Sequence, residues 1–252
     1  MASYQILPQV YDRWQKSYGN DFSTLILPRF LAALISYRIP TSTMLDLACG
    51  TGTLAIKMAK RGWSVWGVDG SEGMLTEGRK KLDGSTLPVV LLCQDMRDFS
   101  LPVQVNVVTS FFDSINHLLS KKDLLRTFRA VYRSLLPGGY LMFDMNNESC
   151  FKTLWVQTEA IHQDDFTIIL QNSYDADRRY AKADVTLFIK KGANYERSTE
   201  TVYERCFTPS EINSVLRQAG FKVVKSEDFN FTNLPHVGKI KTWWVAQKPL
   251  AS

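Results

Sequence analysis

Leu45-Asp46-Leu47-Ala48-Cys49-Gly50-Thr51-Gly52 decides the fold of this chain. A short apolar run that begins at Thr43 ends in a Gly-x-Gly turn. Residues 54–61 follow with helical patterning, and Gly62 closes them. Reading downstream, residues 63–69 predict a second strand and 71–82 a second helix. Residues 89–93 and 103–110 predict a third and a fourth strand. Residues 121–136 predict a helix ended by Pro137-Gly138-Gly139, and 140–145 a fifth strand. Upstream, the first forty residues read as helical up to Pro40. Short apolar strands alternating with helices mean βαβ units, and therefore a parallel sheet covered on both faces. Its ligand edge is where the strands end.

The alternation breaks after about residue 148. Residues 181–190 place Ala183, Val185, Leu187 and Ile189 on one face and Lys182, Asp184, Thr186 and Lys190 on the other. Residues 195–207 are also extended, and Asp175-Ala176-Asp177 and Gly192-Ala193-Asn194 read as turns. We expect a small antiparallel β insert over 148–207. Tyr195, Arg197, Tyr203 and Arg205 share a face that is either solvated or a lid over a ligand. The core resumes at Thr208-Pro209-Ser210-Glu211, a capping box with proline at the first helical position. Residues 221–229 and 242–247 predict an antiparallel edge. The expected organisation is one domain over 1–252, with a helical N-terminal cap (1–40), an α/β core (41–147 and 208–252) and the insert.

Apolar residues make up 45% of the 252 and charged residues 22%, an ordinary globular balance that excludes a disordered chain. The net charge of +5 is spread along the chain and does not by itself indicate nucleic acid. Cys49, Cys93, Cys150 and Cys206 form no CxxC pair and have no histidine at ligand spacing, so we expect no zinc site. Scattered cysteines and an N-terminus without signal-peptide order predict a cytoplasmic protein. Residues 25–39 are too short and too interrupted to cross a bilayer.

Three acids stand at three successive strand ends: Asp46, Asp69 and Asp95. The second can accept hydrogen bonds from vicinal ribose hydroxyls, and the third can receive an adenine amino group. Two cofactor classes compete. A nicotinamide dinucleotide needs its pyrophosphate at the helix N-terminus, where Asp46 is unfavourable, and the run Gly50-Thr51-Gly52-Thr53-Leu54-Ala55 meets only the looser GxGxxA form. A sulfonium cofactor has no phosphate there, and it benefits from acids and aromatic faces.

The stretch 45–52 resembles the glycine-rich first motif of class I S-adenosylmethionine-dependent methyltransferases. Residues 67–75 resemble the second motif, 93–98 the third, and 135–139 the turn before the fifth strand. The resemblance implies a Rossmann-like α/β fold with a seven-stranded, mostly parallel sheet and helices on both faces. It also implies S-adenosyl-L-methionine as cofactor. Asp46, Ala48 and Gly50 would line its methionine part, and Gly52 would shape the turn. Asp69 would hold the ribose, Met74 and Met96 would pack on adenine, and Asp95 would sit near its amino group. Tyr11, Gly70 and Phe111 complete the expected wall, Gly70 standing where the family usually has a larger apolar residue.

Methyl transfer from a sulfonium is an in-line displacement, so orientation supplies most of the acceleration. A base is needed only if the nucleophile must lose a proton. The segment after the fourth strand, Phe111 to Leu118, carries His117, the candidate base. That segment, with Tyr11-Asp12-Arg13-Trp14, resembles a subgroup that methylates amino groups of small molecules, amino sugars among them. In that subgroup the positions of Tyr11 and His117 adjoin the reacting centre. A small-molecule acceptor is the expected substrate, with no nucleic-acid or membrane partner and a monomer or homodimer as the assembly. Rival readings are a nucleic-acid methyltransferase, a nicotinamide-dependent oxidoreductase and a non-catalytic cofactor-binding protein.

Overall fold

A computed structural model describes residues 5–230 and 238–250. Among these residues eleven strands, seven α-helices and one 3-10 turn follow in chain order. They begin with α1 (Tyr11–Lys16), α2 (Phe22–Ser36), β1 (Thr43–Leu47), α3 (Thr53–Ala59), β2 (Ser64–Asp69), α4 (Glu72–Leu82) and β3 (Val89–Cys93). Next come β4 (Val105–Ser110), the 3-10 turn Ser114–His117, α5 (Lys121–Ser134), β5 (Leu135–Asn146) and α6 (Glu148–Thr153). Strands β6 (Thr158–His162), β7 (Phe166–Asp175), β8 (Tyr180–Lys191) and β9 (Asn194–Arg205) are followed by α7 (Pro209–Gln218), β10 (Lys222–Phe229) and β11 (Lys241–Gln247).

Seven strands form the main sheet in the order β10-β11-β5-β4-β1-β2-β3. β1 to β5 are parallel neighbours, whereas β11 runs antiparallel between β5 and β10. The seven-stranded α/β fold read from the sequence is therefore present, with its antiparallel edge. Burial on both faces explains the near-continuous apolar runs. Leu45 and Leu47 enter the core that Phe128 and Leu216 complete, and Met44 enters the opposite one with Phe30 and Met58. The capping box is present: the Glu211 backbone N–H donates to Thr208 Oγ1 at 3.1 Å, and that of Thr208 to Glu211 Oε2 at 2.8 Å.

β5 starts five residues earlier than the sequence predicts. Pro137-Gly138-Gly139 does not end the preceding helix in open loop. Gly138 adopts φ +81° and its N–H bonds the Lys248 carbonyl at 2.9 Å, while the Lys248 N–H bonds the Gly139 carbonyl at 2.8 Å. The extra residues bulge, and the β4–β5 register jumps from Val105↔Leu135 to Val107↔Tyr140.

Between β5 and α7 the chain forms helix α6 and then a separate antiparallel sheet, β6-β7-β8-β9. Its inner face, with Ile168, Val185, Leu187 and Val202, packs on Leu7, Val10 and Met74. The face carrying Tyr195, Arg197 and Tyr203 is the outer one. Tyr195 and Tyr203 are exposed because the period-2 alternation turns Val202 and Glu204 inward. Arg205 differs from its outward neighbours: it is half buried, over the Phe207 ring and bonded to the Leu119 carbonyl at 3.1 Å. No helix among the described residues is long and apolar enough to cross a membrane.

Candidate active site

The turn after β1 is built on left-handed backbone. Ala48, Gly50 and Gly52 all have positive φ, at 58°, 55° and 68°. The glycines accept this without penalty, whereas Ala48 is held there at a cost of about 1–2 kcal/mol. Asp69, at the end of β2, fastens the turn. One of its oxygens accepts the Gly50 N–H and the other the Ser71 N–H, both at 2.8 Å. Burial raises its pKa, and these donors oppose the rise. Gly78 of α4 allows the helix to pass under the same turn: a Cβ there would stand 3.1 Å from the Thr51 carbonyl oxygen.

A cleft of about 460 Å³, partly open to solvent, lies over this turn. Of the residues expected from the sequence, Tyr11, Asp46, Ala48, Gly50 and Phe111 line it. Gln15, Thr51, Phe112 and Ser114 also contribute, and no lysine or arginine among the described residues does. Asp46 is buried, with Thr109 donating to it at 3.0 Å. Burial, reinforced by the Asp69 charge, pushes its carboxyl up to about 7. Burial likewise raises the Tyr11 phenol above its ordinary range.

The other predicted residues stand outside the cleft wall. Gly52 shapes the turn through its positive φ, and Asp69 already accepts from two backbone donors. Gly70 is exposed beyond β2. Met74 is buried beneath the second sheet, and Met96 packs against the α5-side core. Asp95 accepts from Arg97 Nε and from its backbone N–H, both at 2.9 Å, and the guanidinium holds its carboxyl below the usual range.

α1 covers the turn and is fastened on both sides. On the core side Lys81 Nζ donates to Asp12, Thr51 and Thr53 at 2.7, 2.8 and 2.8 Å. On the insert side Arg13 holds both oxygens of Asp165 at 2.7 Å, and Tyr18, just past the end of the helix, donates to Glu159 at 2.9 Å. Tyr18, Phe22 and Phe112 stack in sequence, with centroids 6.0 and 5.1 Å apart, as an aromatic wall.

After β4 the backbone is strained again: Phe112 and Asp113 have φ of 60° and 51°. Asp144 of β5 holds them there, accepting the Phe112 N–H at 2.6 Å and the Asp113 N–H at 3.4 Å. Lys241 of β11 pairs with Asp113 and, at 2.9 Å, with Asp144. Burial disfavours the charge on Asp113, but the ammonium outweighs it and lowers that pKa. His117 turns toward the insert, not into the cleft. Its Nδ1 lies 3.1 Å from the Tyr203 carbonyl and its Nε2 3.7 Å from Glu204 Oε1. Burial lowers the imidazole pKa, against the opposing pull of Asp113. Burial, then the Asp113 charge, raises that of Glu204.

Asp144, Glu204 and Lys241 carry no motif, and the sequence reading missed them. The one available signal was an ionisable residue inside each of three apolar or alternating strand patterns.

Residues 44–139 match the family model described as a methyltransferase domain. A Bacillus subtilis (strain 168) protein named "Putative methyltransferase YqeM" is 35% identical over 210 residues, 81% of this chain and 83% of that protein. A Streptomyces venezuelae dTDP-3-amino-3,4,6-trideoxy-alpha-D-glucopyranose N,N-dimethyltransferase is 32% identical over 161 residues, 63% of this chain and 65% of that enzyme. An S-adenosylmethionine-dependent methyltransferase structure from Clostridium acetobutylicum ATCC 824 superposes with a TM-score of 0.83 at 20% identity, covering 96% of this chain and 98% of that one. By sequence the chain belongs to the methyltransferase family, and its fold is that of the S-adenosylmethionine-dependent members.

Proposed function

We propose that this methyltransferase moves a methyl group from S-adenosylmethionine to an amino group of a small, sugar-like molecule. The observation that carries the reading is the lining of the cleft: a buried acid, Asp46, the aromatic rings of Tyr11, Phe111 and Phe112, and no basic lining residue among those described. A pyrophosphate would meet Asp46 with no basic residue in the lining to offset it, the Lys81 ammonium behind Thr51 and Thr53 being paired with Asp12, whereas a sulfonium is attracted by both acid and rings. The bound cofactor supplies an electrophilic methyl group on positively charged sulfur.

The roles follow from position. Asp46, Ala48 and Gly50 would hold the amino-acid end of the cofactor, and Asp69 the ribose through its remaining lone pairs. Asp95 reaches the adenine only if Arg97 yields. Gly52 shapes the loop, while Gly70, Met74 and Met96 would border the base. Tyr11 and Phe111 close the methyl side and exclude water. An acceptor amine held against this wall would present its lone pair to the methyl group, and the proton it gives up after accepting the methyl would go to solvent. His117 acts through the segment it anchors to the insert, so it is a positioning residue in this reading. The amino-sugar class is supported by the Streptomyces venezuelae relative, which acts on a nucleotide-linked amino sugar by name. Four free cysteines support a reducing, cytoplasmic setting.

The test is incubation with isotopically methyl-labelled cofactor and a panel of nucleotide-linked 3-amino sugars, read by mass spectrometry. We expect an added labelled methyl on nitrogen. Label appearing only in RNA or DNA from a cell extract would overturn the acceptor class.

A further inference from the structure

We propose that Asp113, His117 and Glu204 bind one divalent transition-metal ion, which ties the segment after β4 to insert strand β9. The inference goes beyond the methyl-transfer reading and does not depend on it. The three donor atoms lie within 4.8 Å of one another. Ligands at tetrahedral angles around an ion with bonds of about 2.1 Å stand about 3.4 Å apart, so the donor atoms would have to draw together by up to about 1.4 Å on binding.

Three further observations point to a cation. The first is the imidazole tautomer. The Tyr203 carbonyl 3.1 Å from Nδ1 can only accept, so Nδ1 carries a proton, and Nε2 is the ring nitrogen on the Glu204 side. A metal-bound histidine is held in this way, its second nitrogen donating to a backbone carbonyl. The second is Glu204 itself. The residue is fully buried; Oε2 accepts from Asn146 at 3.0 Å, whereas no N–H or hydroxyl of the described residues donates to Oε1, and the Asp113 carboxyl lies within hydrogen-bonding reach of this side chain. Oε1 faces His117 Nε2 across 3.7 Å, too far for a hydrogen bond. The third is charge. Among the described residues three carboxyl groups, those of Asp113, Asp144 and Glu204, gather around one ammonium, Lys241, whose ion pairs go to Asp113 and Asp144 and leave Glu204 against the histidine. One imidazole and two carboxylates suit manganese, ferrous iron or zinc. The sequence hides this set because Glu204 is brought to Asp113 and His117 only by the inward face of β9.

The test uses the full chain after chelator treatment. Mn2+ is titrated in by electron paramagnetic resonance, with Zn2+ as competitor, and thermal unfolding is followed in parallel. We expect one Mn2+ per chain, displaced by Zn2+, with the unfolding midpoint raised by several degrees on saturation. Glu204→Gln and His117→Gln should each weaken binding by at least about tenfold. If one variant misfolds, the other decides. No saturable binding up to about 1 mM would overturn the proposal, as would binding that both variants retain. The proposal also fails if metal-free Glu204→Gln is as stable as the metal-saturated parent, because a proton shared between Asp113 and Glu204 then fills the gap.

Discussion

Thr51, on the turn after β1, donates to Asp12 of α1 across 2.5 Å, and Lys81 binds both. The cap is thus fastened to the loop that holds the cofactor in our reading, and order in one favours order in the other. Asp12→Ala removes the shared acceptor. The ion pair is about one-third exposed and contributes little by itself, so most of the effect comes from the lost hydrogen bond to a charged group. Cofactor affinity should fall about 3- to 10-fold by calorimetry, and hydrogen exchange in α1 should speed up. Unchanged values for both would separate the cap from the site.

Asp69 is doubly engaged before any ligand arrives. Asp69→Ala removes the ribose acceptor and also frees the Gly50 and Ser71 N–H groups. Each hydrogen bond to a charged group is worth about 1.5–3 kcal/mol, so cofactor affinity should drop by about 100-fold or more. Asp69→Asn retains one oxygen and should lose less. Equal losses in both variants would assign the effect to charge alone.

Asp46 sets a pH dependence. Burial raises its carboxyl to about 7, above its unfolded value, so its ionisation opposes folding. Stability is greatest below the unfolded pKa and declines as pH rises toward 7. A sulfonium reverses the preference, because it favours the ionised carboxylate. Cofactor affinity should therefore rise with pH up to about 7, by at most about tenfold per unit, and then level off. Asp46→Asn should flatten that profile; a slope of the same size in the variant would transfer the titration to another group.

Gly78→Ala distinguishes packing from propensity. An alanine in a free helix position stabilises by about 1 kcal/mol. Here its Cβ would meet the Thr51 carbonyl at 3.1 Å and a Leu91 methyl at 2.8 Å. We expect net destabilisation of about 1 kcal/mol in urea unfolding. Stabilisation would mean that α4 and the turn can separate.

Lys241→Met leaves Asp113 and Asp144 without their shared cation in a buried site. Breaking such a set costs about 3–5 kcal/mol. Chemical unfolding should report that loss at pH 7 and a smaller one at pH 5, where protonation relieves the carboxylates. A small loss at both pH values would show that the acids are neutral in the folded protein.

The strand and helix sequence of the core was legible because fully buried parallel strands write continuous apolar runs, and glycine, proline and capping residues punctuate them. Gly50, Gly52 and Asp46 were legible for the same local reason: the turn needs left-handed backbone, and one short segment carries its chemistry. The ends of β5 were not, because Pro137-Gly138-Gly139 bonds to Lys248, a partner more than a hundred residues away. Strand alternation separated the two faces of the insert but left open which one was wet. That depends on what lies beneath it, namely Leu7, Val10 and Met74.

The sequence by itself determined the layers, the glycine turn and the acid beside it, since each follows from neighbours along the chain. Only the tertiary structure decided that Asp69 is bound to the backbone and that Met74 lies under the insert. It alone decided that His117 turns to Glu204 and that Asp113, Asp144 and Lys241 share one buried site. These are meetings of residues from different strands and loops. Their chemistry depends on burial and on partner charge, which local patterning does not encode.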